Sequence, residues 1–171
     1  IQRPKMSTLQ LIITGDLACC GYVVGTTVWY FFVSSPIVFN HFGRDKFIPV
    51  MMRLARVYFL HMSAALGGSL ALSLCSGAPL SSLTSLSSGL ALAAALTNQF
   101  IVGPQALKAG KAAIADAENK DRANSKLEFA SEGGGSKTAF WHRTVVVVVL
   151  SMTAATATHL FAIAGRVAAP P

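Results

Sequence analysis

Four long apolar runs, each bounded by polar or turn-forming positions, set the pattern of this chain. The first extends from Leu9 to Phe39 with Asp16 as its only charged residue, long enough to cross a bilayer with some tilt. Ser7-Thr8-Leu9-Gln10 precedes it in the Ser-x-x-Gln form of a capping box, a helix start. The second runs from about Ile48 to Cys75, with Arg53 and Arg56 in its first turns and Pro49 where a helix start tolerates proline. Gly77-Ala78-Pro79 makes a break, and the third run follows from about Leu83 to Val102, its first half rich in serine. The fourth, from about Phe140 to Ala164, contains five successive valines, Val145 to Val149. In water such a β-branched block suggests a strand, but the length and the apolar flanks favour a spanning helix.

The pattern predicts an all-α fold, an integral membrane bundle of four transmembrane helices over about 8–39, 48–76, 82–103 and 138–165. A polar, partly helical loop, 104–137, joins helices three and four. Its alanine-rich start, Gln105 to Lys120, extends the helix beyond the bilayer, and Gly133-Gly134-Gly135-Ser136 forms a hinge. No internal repeat divides the chain, so 1–171 forms a single membrane domain.

Composition agrees. The chain has 171 residues, 53% of them hydrophobic and only 12% charged, about half the charge of a soluble domain. Of the fourteen basic residues, eleven fall in or beside the first and third loops and three with the termini. The positive-inside rule puts both termini opposite those basic loops, on the outer side. The net charge of +7 is thus a topology signal. Interspersed acids such as Asp116, Glu118 and Glu128 dilute any nucleic-acid surface, and no nucleic-acid partner is expected. The chain opens on Ile1 rather than methionine: either a targeting segment was removed, which fits an organellar membrane and the expected mitochondrial inner membrane, or the ends of the natural chain are not included.

Asp16 is the most expensive residue to place, about 13 Å into the first helix at 1.5 Å per residue. An acid at that depth costs a few kcal/mol unless it is paired or faces the bundle. Cys20, Thr27 and Ser34 share its face, while Gly21 and Gly25 make a GxxxG pattern on nearly the opposite one. His159, seven residues before Arg166, falls at a similar depth in an antiparallel bundle, so an Asp16–His159 pair is geometrically available. It serves either as a structural hydrogen bond or as a proton relay. His61 lies mid-helix in the second run, with Gly68 on its face. A bis-histidine haem site at His61 and His159 is disfavoured by their different depths. Arg53, Arg56, His142 and Arg143 form a basic girdle at the inner ends, suited to lipid headgroups, cardiolipin in a mitochondrial membrane.

Cys19, Cys20 and Cys75 all lie in spanning segments without CxxC spacing, so neither a disulfide framework nor a zinc motif is expected. Phosphate-loop, HExxH and GxGxxG motifs are absent from the sequence, and no catalytic residue is expected.

Three groups of residues carry a family resemblance. They are Trp29-Tyr30-Phe31-Phe32 with Ile37-Val38-Phe39-Asn40 and Phe47 to Phe59, then Asn98 to Pro104, then Phe140-Trp141-His142. Together they resemble the transmembrane protein 205-like family. The resemblance implies a four-helix membrane protein with a polar loop before the last helix, and it brings no catalytic residues with it.

Two functions follow as expectations. The first is a non-catalytic accessory subunit of a larger organellar membrane complex, of respiratory or ATP synthase type, whose partners are other membrane subunits and lipids. The second is a stand-alone transporter-like protein with a polar interior around Asp16 and His159.

Overall fold

The computed structural model describes residues 7–121 and 137–168; the glycine-serine hinge at 133–136 lies outside them. Within the described residues every long element is a helix. Helix α1, Thr8–Val28, begins at the expected capping box: the Ser7 amide donates to Gln10 Oε1 at 2.9 Å, and the Gln10 amide donates to Ser7 Oγ at 3.2 Å. A π-turn, Trp29–Ser34, leads into α2, Ser35–Cys75. Helix α3, Leu83–Thr97, continues through a second π-turn, Asn98–Val102, into α4, Gly103–Asp121; the last helix, α5, covers Lys137–Ala168.

No non-helical residue marks the turn expected between about residues 39 and 48, for the backbone stays helical through Ser35–Cys75. The chain nevertheless reverses there. Asp16 meets Ser69, Tyr22 meets His61, Thr27 meets Tyr58 and Tyr30 meets Met51. Partners run in opposite order along the chain, which places the turn between Tyr30 and Met51. The third expected helix likewise does not stop at 103 but runs on as α4, so the extension read from Gln105 to Lys120 is helical.

Both π-turns end two residues before a proline, Pro36 and Pro104. A proline inside an α-helix lacks its amide donor and strikes the carbonyl four residues back. The wider π-turn moves those carbonyls: the Ser35 amide donates to Tyr30 O, and the Gly103 amide donates to Asn98 O, five residues back in each case.

Helix α2 ends at Gly77, whose φ of 78° is open to glycine at little strain. The Gly77 amide donates to Leu74 O at 3.0 Å and the Ala78 amide to Ser73 O at 3.3 Å, the paired bonds of a Schellman cap. Ser82 then caps α3 by accepting from the Ser85 amide.

Among the described residues, four helical stretches are long and apolar enough to cross a membrane: Thr8–Phe42, Arg53–Cys75, Leu83–Ala112 and Phe140–Arg166. The chain is an all-α integral membrane bundle. Helix α3 packs between α2 and α5, and α1 lies against α2 and touches α5. The apolar core joins Val23, Tyr58, Phe59, Met62, Leu66, Ala91, Ala95, Val149 and Met152. Phe32 and Phe161 are more than three-quarters exposed; large rings pointing outward suit lipid rather than water.

Candidate functional site

At the end of the bundle where α1 begins and α2 and α5 finish, the interior is polar. Asp16 is 4% exposed and His159 is 1% exposed. His159 Nε2 lies 3.0 Å from Asp16 Oδ1 and 3.1 Å from Oδ2. His159 Nδ1 lies 2.8 Å from the main-chain carbonyl of Thr84. A carbonyl only accepts, so Nδ1 carries a proton. The other nitrogen faces the carboxylate, and a single further proton serves both Nε2 and Asp16. Whichever atom holds it, the pair is neutral overall, a form compatible with burial in a membrane.

Hydroxyls surround the pair. Ser69 Oγ donates to Asp16 Oδ1 and lies 3.2 Å from His159 Nε2, while Ser73 Oγ donates to Asp16 Oδ2 at 3.1 Å. Ser88 Oγ donates to Ser69 Oγ at 3.4 Å. Ser87 Oγ, 3.5 Å from His159 Nδ1, donates to Leu83 O at 2.6 Å. That bond commits its proton to the helix backbone, and the imidazole nitrogen facing Ser87 is itself a donor. Ser87 is therefore not a hydroxyl activated by this imidazole.

A cavity of about 160 Å³ reaches Asp16 from the same end, lined by Leu9, Ile12, Ile13, Ser76, Ile163 and Arg166. At its rim Arg166 Nη1 donates to Ser76 Oγ at 3.3 Å. By the expected topology this is the side of the termini.

The remaining sequence candidates are distributed elsewhere. His61 is exposed and shares a 3.2 Å hydrogen bond with Tyr22 OH on α1; it sits eight residues from Ser69, about 12 Å along the helix. It does not join His159. Gly68 packs on α1, where a Cβ would meet Cys19 Sγ at 3.6 Å. Among the described residues Gly21 and Gly25 pack on no helix, for a Cβ at either would meet nothing within 4 Å. Arg53, Arg56, His142 and Arg143 are all exposed, at the end of the bundle opposite the cavity.

Sequence reasoning missed Ser69, Ser73, Thr84, Ser87 and Ser88, noting only that the first half of the third run is rich in serine. It also anticipated no metal-ligating cluster. Cys20, fully buried on the Asp16 face, has its Sγ 4.0 Å from Asp16 Oδ1 and 3.6 Å from Ser69 Oγ. The ligand atoms of Asp16, Cys20 and His159 all lie within 4.8 Å of one another.

The sequence profile of a domain of unknown function, DUF4149, matches residues 18–114, more than half of the chain. The chain belongs to the DUF4149 family. No curated protein and no solved structure matches it. The DUF4149 stretch includes Cys20, Ser69, Ser73, Thr84, Ser87 and Ser88, and the segments from Trp29 to Pro104 that carry the resemblance above. Asp16 lies just before that stretch and His159 well beyond it.

Proposed function

We propose that the protein is a stand-alone membrane carrier that takes up and releases a proton at the Asp16–His159 pair. The observation that carries this reading is a buried carboxylate that lines a cavity between α1, the end of α2 and α5 and lies 3.0 Å from an imidazole nitrogen. Intramembrane ionisable pairs are costly and mark proton and ion pathways. A bond that served packing alone has no use for a cavity reaching its carboxylate. Met62, Leu66 and Met152 are buried in the apolar core, so on this reading release toward the other end requires the helices to move. The test is reconstitution of the full chain in liposomes with an imposed pH gradient. Asp16→Asn removes the shared proton site and abolishes proton flux; unchanged flux would overturn the reading.

A second reading has its own observation, the open Gly21–Gly25 face of α1. Close-packing membrane helices use such faces. On this reading the chain is a non-catalytic accessory subunit of a respiratory or ATP synthase type complex in the mitochondrial inner membrane. Arg53, Arg56, His142 and Arg143 then hold anionic lipid such as cardiolipin. Co-migration with a large complex in mild detergent supports it, and migration alone contradicts it.

A further inference from the structure

We propose that Asp16, Cys20 and His159 form a binding site for a borderline divalent transition-metal cation of the zinc class, loaded in exchange for two protons. The ligands rest on geometry alone; the exchange rests on the proton-site reading above.

Three donor types preferred by zinc converge, an imidazole nitrogen, a thiol sulfur and a carboxylate oxygen. The imidazole is already set for ligation. Its Nδ1–H is tied to Thr84 O at 2.8 Å, the outer-shell bond that fixes Nε2 as the ligating atom in metal sites. Zinc bonds of about 2.0–2.3 Å put tetrahedral ligands roughly 3.3–3.6 Å apart. Nε2 and Oδ1 stand at 3.0 Å and Sγ and Oδ1 at 4.0 Å, so small side-chain adjustments of opposite sense complete the triangle. The cavity lined by Asp16 supplies an entry route as far as that carboxylate, with Cys20 and His159 behind it.

The charges balance. Before loading, the neutral Asp16–His159 pair holds one shared proton and Cys20 is a thiol. On loading, bonds form from the cation to Oδ1, Nε2 and Sγ. The Sγ–H bond and the hydrogen shared between Nε2 and the carboxylate break, and both protons leave by the cavity. No oxidation state changes. The dication with one carboxylate, one thiolate and one neutral imidazole is again uncharged, so exchange of one cation for two protons is electroneutral and adds no net charge to the membrane interior. Among the described residues, the other titratable groups facing this region are Cys19, half-buried beside Gly68, and Arg166 at the rim.

The experiment is calorimetric titration of the detergent-solubilised full chain with Zn²⁺ in buffers of different ionisation enthalpy, with Co²⁺ as a spectroscopic probe. The expected result is one zinc per chain, two protons released, and a tetrahedral thiolate–Co²⁺ spectrum. Mg²⁺ is expected to give neither. Cys20→Ser keeps the Asp16–His159 pair and its fold, yet it should weaken binding by more than about a hundredfold, since even outer-shell changes cost about 10- to 100-fold. It should also remove the thiolate band. Zinc binding that is the same in Cys20→Ser as in the wild type, or no saturable binding by the wild type, overturns the site. The two proposals fail separately. Zinc binding with an Asp16-independent proton flux keeps the site and ends the carrier reading, whereas Asp16-dependent flux without zinc binding does the reverse.

Discussion

The main-chain carbonyl of Thr84 lies 2.8 Å from Nδ1 of His159, and this contact fixes the protons of the buried pair. Because the carbonyl can only accept, Nδ1 always donates, and one proton is left for Nε2 and Asp16 together. Losing that proton would strand a negative charge among helices; gaining another would strand a positive one.

The first prediction concerns coupling. Asp16→Ala or His159→Ala alone leaves a buried partner unpaired, at a cost of about 3–5 kcal/mol. The double variant should lose much less than the two singles combined, with a coupling of about 1–3 kcal/mol. A double-mutant cycle of thermal unfolding in detergent measures it; additivity would mean that the two side chains do not depend on each other.

The hydroxyls should separate by where they point. Ser69 is fully buried between Asp16, Cys20, Ser88 and His159, whereas Ser151 is exposed and bonds back to Val147 O. Ser69→Ala is expected to destabilise by about 1 kcal/mol, at the upper part of the range for interhelical bonds in membranes. Ser151→Ala should be neutral. Equal effects in a denaturation series would contradict the polar-core description.

Gly103 is required by the second π-turn. A Cβ there would stand 2.6 Å from the Asn98 carbonyl oxygen, inside any allowed contact, and backbone cannot swing away as a flexible side chain can. Gly103→Ala should cost about 1–3 kcal/mol, as overpacked sites do. Gly21→Ala and Gly25→Ala, which meet open space, should leave the unfolding temperature of the isolated chain unchanged.

Arg166 places a positive charge beside the entry. Arg166→Gln should speed cation loading, more at low ionic strength than at high, since exposed charge acts through a screened field. Stopped-flow binding of Co²⁺ at two salt concentrations reads this directly; slower loading would mean that Arg166 helps to form the site.

How much of this was legible along the chain depends on the residue. Asp16 and His159 announced themselves by cost, because an ionisable group within an apolar run must find a partner, and antiparallel threading put the two at one depth. The capping box at Ser7 and the stop at Gly77 are local and were equally legible. Serine is not. In a membrane helix a hydroxyl can satisfy itself on the carbonyl four residues back, as Thr144, Ser151, Thr153 and Thr158 do. Nothing in local sequence separates these from Ser69 and Ser73, which turn inward to Asp16. Cys20 was placed on the right face but not read as a ligand, because its fellow donor on α5 is far away in the chain and no spacing rule spans such a gap. His61 looked equivalent to His159 by type and setting; only the helix arrangement turns it outward to Tyr22.

Proton flux in liposomes, measured on variants matched for stability, tests the central claim most directly. Gly103→Ala serves as the control that disturbs the fold away from the pair. The account predicts that Asp16→Asn and His159→Gln abolish flux across an imposed pH gradient while Gly103→Ala, destabilised but folded at the assay temperature, retains it. Flux that survives in Asp16→Asn, or that falls equally in all three variants, would contradict a proton site at Asp16 and His159 and leave their bond as one that holds the helices together.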